Sequence, residues 1–233
     1  MKPPSLQDTG SPRRNPVTVR GMGAVSPAGW GVSALRQALE QSSPIAACPI
    51  EGPRPFRGRR VPPPAERPAV LSHARLRRSS PISQFAAAAA MEALRTVPYP
   101  PTELGIVFST MCGSVRYTRR FYAETLDNPA TASPILFPET VFNAPASHVA
   151  AALDASVPTY TLVGDSSVFL QALALGAQWV DSGFVRCSLV IAAEETDWSV
   201  LEGWKLFSRD TELAEGAAAV CLSCEPDSGG DPT

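Results

Sequence analysis

The chain has 233 residues, with 20 lysines and arginines against 22 acidic residues and a formal net charge of −2. That balance excludes the broad positive field on which general nucleic-acid or membrane-surface binding depends, and the length suits one large domain or two small ones. No apolar run reaches the ~18 residues of a membrane-spanning helix, and the Pro-rich, polar first sixteen residues do not read as a signal peptide, so the expected compartment is the cytoplasm.

In chain order, residues 1–15 read as a disordered tail, 16–226 as the folded domain and 227–233 as a second tail. VTVRGMGAVSPAG (17–29) predicts a short strand breaking into a Gly-rich loop, followed by a helix from Val32 to Gln41. Gly21-Met22-Gly23 lacks the third glycine and the acidic partner of a dinucleotide fingerprint, so no nicotinamide or flavin cofactor is expected. Residues 42–81 are rich in proline and arginine, with eight arginines between Arg54 and Arg78. Proline at that density opposes regular structure and predicts a long excursion.

Beyond Ile82 the pattern turns helical in QFAAAAAMEALRTV, with Pro98 as its stop. LGIVFS (104–109) reads as a strand that breaks at Cys112-Gly113-Ser114, and RRFYAETL as helical. SPILFPETVFNAPASHVAAAL (133–153) reads as an irregular loop entering a short helix, while CSLVIAAEE (187–195) and LAEGAAAVCLSCE (213–225) read as buried strands. Strands alternating with helices predict an α/β domain with a mostly parallel or mixed sheet.

The five cysteines are odd in number and scattered, which is no disulfide framework. Cys221 and Cys224 form a C-x-x-C on a predicted strand, where residues three apart face opposite sides. They are expected to share no metal. With only two histidines in the chain, a zinc site has little to draw on, so the cysteines read as buried thiols.

The stretch YTLVGDSSVFLQALALGAQWV (160–180) runs from a strand through a tight polar turn into a long helix. In α/β enzymes such a turn often presents a nucleophile, and Ser166 is the candidate. The helix VFLQALALGAQWV is apolar almost all round: only Gln171 and Gln178 are polar, seven apart on one line. Such a helix must be covered on nearly every side. The Ala-rich helix at 84–97 together with a second chain is one cover; membership of a larger unit is the other.

Together these motifs resemble the N-terminal half of the β-ketoacyl synthases, which have the thiolase fold. VTVRGMGAVSPAGWG is similar to that family's opening strand and loop, and GIVFSTMCGS to its strand ending in a Gly-rich turn. SPILFPETVFNAPASHVAAAL with VPTYTLVGDSS is similar to the segment leading into its nucleophile elbow. VRCSLVIAAEE and LAEGAAAVCLS are similar to its next two strands. The resemblance covers about Val17 to Glu225 and implies one half of a thiolase-like fold, a mixed five-stranded sheet with helices on both faces.

Two departures from the family bear on function. Ser166 falls where active members carry the cysteine that takes the acyl chain. The family's C-terminal half, which supplies two histidines, is not matched. A serine hydroxyl without a general base is a weak nucleophile, and neither His73 nor His148 is placed by sequence to serve it. The resemblance therefore implies a catalytically incomplete subunit of the chain-length-factor type, with no cofactor. Its partner would be an active ketosynthase or a second copy of the chain. Thr159, Tyr160, Thr161, Leu162 and Val163 would pair across the dimer, and Met111, Cys112, Leu136, Phe137 and Phe142 would shape the end of an acyl pocket. Charge complementarity adds that Arg54, Arg57, Arg59, Arg60, Arg75, Arg77 and Arg78 would dock an acidic acyl carrier protein. Two rivals stand beside this expectation: an acyltransferase or hydrolase using Ser166 with a base from a partner chain, and a homodimer that only binds carrier protein or acyl chains.

Overall fold

The computed structural model describes residues 16–42, 44–95, 97, 102–208 and 210–224. The expected tails, and the helix stop at Pro98, lie outside the described residues. No described helix is long and apolar enough to cross a membrane.

The centre of the molecule follows from two strands without a polar face. Strand β5 (Leu104–Thr110) is buried at every position, and β7 (Cys187–Glu194) at nearly every one. Strands of that kind belong inside a sheet covered on both sides. They pair in parallel with each other, and β5 also pairs in parallel with β6 (Thr159–Val163). On the other flank β7 pairs antiparallel with β8 (Gly216–Cys224), β8 with β1 (Val17–Ser26), and β1 with the two-residue β2 (Gly29–Trp30). Among the described residues the sheet thus has six strands in the order β2-β1-β8-β7-β5-β6. The expected five become six because the chain turns back at Pro27 and Ala28 and adds β2 to the far edge.

Helix α2 (Pro81–Leu94) covers one face of the sheet with α4 (Ala144–Ala152), and α5 (Val168–Asp181) covers the other. The division shows in the strand alternation: Ile106, Phe108, Leu189 and Ile191 join the α2 core, whereas Val107, Val190 and Leu222 join the α5 core. Helix α2 therefore cannot shelter α5, contrary to the expectation that the Ala-rich helix would help cover it. The whole sheet lies between them.

The motif Gly21-Met22-Gly23 is not a loop but the middle of β1. A Cβ on Gly21 would sit 1.9 Å from the Ala93 carbonyl oxygen, and one on Gly23 1.9 Å from that of Ala89. Two glycines on the strand and a file of buried alanines on α2 let the two backbones touch, which no larger residue permits. Glu92, beside that contact, accepts hydrogen bonds from the Val32 and Ala24 amides. It thereby satisfies the start of α1 (Val32–Gln41), whose Gly31 cap has no side chain to do so.

The Pro/Arg-rich segment holds more order than its composition predicts. Strands β3 (Cys48–Ile50) and β4 (Phe56–Gly58) form an antiparallel hairpin, and two short 3-10 turns follow at Ala69–Ser72 and Leu76–Arg78. The apolar residues between the prolines explain it: Ile50 and Phe56 pack with Leu201 in a small core of their own. Leu201 belongs to α6 (Trp198–Trp204), capped by the Asp197 side chain on the Ser199 amide. The remaining helix, α3 (Val115–Asp127), has no fully buried residue.

Candidate functional site

The turn between β6 and α5 presents Ser166 to solvent, as the strand–turn–helix pattern predicts. Its hydroxyl meets no hydrogen-bond partner among the described residues. Asp165 turns instead to Ser167, accepting from its amide at 2.8 Å and its hydroxyl at 2.7 Å. Those two bonds hold the Asp165 carboxyl below its ordinary range. The Asp165–Ser167 contact shapes the turn and leaves Ser166 without a base. Both histidines are engaged or placed elsewhere. His148 is buried on α4 with Nε2 within 2.8 Å of the Glu139 carboxylate, and His73 follows the first 3-10 turn.

Strand β6 is the edge of the sheet. It pairs with β5 on one side and with nothing on the other among the described residues. Tyr160 and Val163 are about half exposed, at 52% and 48%. Beside it, Tyr160 and Leu162 join Gln171, Leu175, Trp179 and Phe184 around a largely apolar cavity of about 520 Å³. Helix α5 buries Val168, Ala172, Gly176 and Val180 against the sheet and leaves Leu170 67% exposed. Sequence alone could not name Trp179 and Phe184, because only the turn after α5 brings their rings together, 5.5 Å apart. An open strand edge beside uncovered apolar side chains is what an interface with another chain requires.

The proposed pocket residues occupy three separate settings. Met111 and Cys112 lie in the turn after β5, and the Phe142 ring rests on that turn, 2.7 Å from where a Gly113 Cβ would stand. Phe137 stacks on Phe121 of α3 at 5.6 Å, and Leu136 is buried. The turn itself is gripped by Glu194, whose carboxylate accepts from the Met111 and Cys112 amides and from the Thr110 hydroxyl. Burial, with Glu194 nearby, pushes the Cys112 thiol up to about 11. That shift disfavours the thiolate at neutral pH.

Sequence reasoning missed the acidic run that follows β7. Glu195, only 1% exposed, accepts from the Ser80 hydroxyl at 2.5 Å and from the Ile82 and Arg116 amides at 3.1 and 2.8 Å. The Arg116 guanidinium then bonds Glu215, itself held by the Thr196 amide and hydroxyl. One carboxylate thus satisfies the first turns of both α2 and α3, as anions do at helix N-termini. Desolvation, partly offset by those hydrogen bonds, raises the Glu195 carboxyl above its ordinary range. Because the folded state binds this proton more tightly than the unfolded one, the contribution to stability is full below the ordinary carboxylate pKa of ~4.3 and is lost as pH rises through the raised value. Glu195→Gln is accordingly expected to lessen the fall in stability above that pH. Urea midpoints of both proteins across the acid-to-neutral range check it, and parallel curves would refute it.

The arginines of the excursion divide. Arg54 and Arg59 are ion-paired to Glu202 and Glu212 at 2.9 and 2.7 Å, and Arg57 donates to the Ala47 carbonyl. Arg60 lines a cavity of about 500 Å³ with Arg116, Arg119 and Trp198. Arg75, Arg77 and Arg78 are exposed around the second 3-10 turn. Charge available to a partner is therefore greater at Arg75–Arg78 than along the hairpin. Among the described residues, no group of three or more His, Cys, Asp and Glu side chains is arranged to hold a metal ion.

No protein-family model matches the sequence, and no curated protein matches it. Solved structures do match the fold. The ishigamide ketosynthase/chain length factor aligns with a TM-score of 0.76 at 19% identity, over 92% of this chain and 63% of its own. A ketosynthase in complex with its chain length factor from Xenorhabdus doucetiae aligns with a TM-score of 0.64 at 17% identity, over 91% of this chain and 80% of its own. A type II polyketide acyl carrier protein in complex with its hexaketide-bound ketosynthase gives 0.72 at 18% identity, over 91% and 64%. The fold is therefore the thiolase-like fold of ketosynthases and chain length factors. The chain spans less than two thirds of the first of these counterparts.

Proposed function

We propose that this chain is a catalytically incomplete, ketosynthase-like subunit of the chain-length-factor type. It pairs with an active ketosynthase in type II polyketide or fatty-acid biosynthesis of the aryl-polyene kind and shapes the acyl pocket of the pair. The observation that carries the proposal is the elbow turn itself. It offers a hydroxyl in place of a thiol, its own carboxylate is committed to Ser167, and no imidazole is bonded to it. Carbon–carbon bond formation of this type depends on a thiolate and on donors aimed at the developing enolate. A chain lacking them serves by structure.

The open edge of β6, residues Thr159 to Val163, is the proposed seam with the ketosynthase. Met111, Cys112, Leu136, Phe137 and Phe142 supply bulk toward the acyl chain, and an apolar pocket measures length by the methylenes it excludes. Arg75, Arg77 and Arg78, aided by Arg54, Arg57, Arg59 and Arg60, meet the acidic carrier protein. Co-expression with a ketosynthase encoded beside it tests the pairing. A heterodimer is expected by size measurement, and Thr161→Pro, which removes one amide from the free edge, is expected to reduce its yield at least tenfold. A stable homodimer that ignores every ketosynthase offered would defeat the proposal and favour a homodimeric acyl or carrier-protein binder.

The exposed, unpartnered Ser166 hydroxyl at the start of α5 favours a second reading, acyl transfer or hydrolysis with a base from the partner chain. Acylation seen by intact mass, and lost in Ser166→Ala, would select it.

A further inference from the structure

Cys187 opens β7 and Cys221 lies in β8, and their sulfur atoms stand 3.0 Å apart. Both are in the core on the α2 face, Cys187 4% and Cys221 0% exposed. The strand register pairs Cys187 with Ser223 and Leu189 with Cys221, so the two thiols are diagonal neighbours across an antiparallel ladder. The other three cysteines are differently placed. Cys48 sits in the hairpin, Cys112 in the turn after β5, and Cys224 packs on the opposite face of the sheet.

We propose that Cys187 and Cys221 form a covalent modification site, joined as a reversible cross-strand disulfide by a two-electron oxidant of the hydroperoxide class. The Cys187 sulfur is the first to react, because it begins its strand next to the exposed Arg186, whereas Cys221 is enclosed. Its thiol is also held below the ordinary range by the hydrogen bond from Cys221, while that of Cys221 is pushed up. The Cys187 thiolate attacks the peroxide, the O–O bond breaks, and the distal oxygen leaves as water after taking a proton, giving a sulfenic acid. The Cys221 sulfur then attacks the sulfenic sulfur. The S–S bond forms, the S–O bond breaks, and a second water departs with the Cys221 proton. Two thiols and one hydrogen peroxide give one disulfide and two waters.

Treatment of the folded chain with hydrogen peroxide, followed by alkylation in denaturant, tests the proposal. The expected product lacks two hydrogen atoms and takes up two fewer alkyl groups than the five thiols of the reduced chain. Digestion yields a peptide linking Cys187 to Cys221, and dithiothreitol restores the full alkyl count. Full alkylation after peroxide, a link between any other pair, or sulfinic acid at Cys187 with Cys221 still free would overturn it. Cys187→Ser and Cys221→Ser should each abolish the link. The triple replacement of Cys48, Cys112 and Cys224 by serine should retain it. The wild-type peptide map decides the matter even if a variant fails to fold.

Discussion

Gly23→Ala is expected to destabilise the chain by about 3 kcal/mol or more, and Gly21→Ala by a similar amount. The new methyl would have to occupy space 1.9 Å from a carbonyl oxygen of α2. Backbone cannot step aside as a flexible side chain does, so relief requires α2 to lift from β1. That lift uncouples the buried alanines Ala86, Ala89, Ala90 and Ala93 from the sheet. Urea denaturation followed by circular dichroism measures the loss. A change below 1 kcal/mol would mean that the two backbones are not in contact. Gly203→Ala is a matched control, since a Cβ there meets nothing within 4 Å.

Arg116→Met is expected to cost about 3 kcal/mol. Removing one member of a buried ion pair leaves the other charge uncompensated, and Glu215 is only 3% exposed at its side chain. The Thr196 amide and hydroxyl and the Val61 amide still solvate Glu215, which keeps the cost toward the lower end for buried pairs. Adding Glu215→Gln to Arg116→Met should recover part of the loss, because the orphaned charge is then gone. A double-mutant cycle by chemical denaturation reads the coupling directly. A single-variant loss under 1 kcal/mol would sink the account.

Particular residues explain what the sequence disclosed and what it withheld. β5 and β7 were legible because each carries a compact apolar run, Leu104–Phe108 and Leu189–Ala193, and α1 because its glycine-rich approach sets its start. The elbow turn with Ser166 was legible for the same reason: strand, turn and helix are contiguous. The glycines at 21 and 23 misled. A turn glycine and a glycine bared for a passing helix look identical until the helix is placed. The hairpin at Cys48–Gly58 was hidden by its prolines, since Phe56 reveals its purpose only once Leu201 lies beneath it. Glu195 was passed over because its partners Ser80 and Arg116 are distant in sequence. The Cys187–Cys221 contact depends on strand register, which no local pattern encodes.

The pairing of β1 with β8 has a consequence for biogenesis. Val17 lies opposite Cys224, so on the ribosome β1 waits for β8, almost the whole described length of chain later, before that edge is satisfied. At a synthesis rate of roughly 5–20 residues per second that wait is on the order of ten seconds or more. Throughout it, a nascent chain leaves uncovered Ala24 and Val25, which the finished fold buries, on an unzipped strand, an invitation to chaperones and to stray β-partners alike.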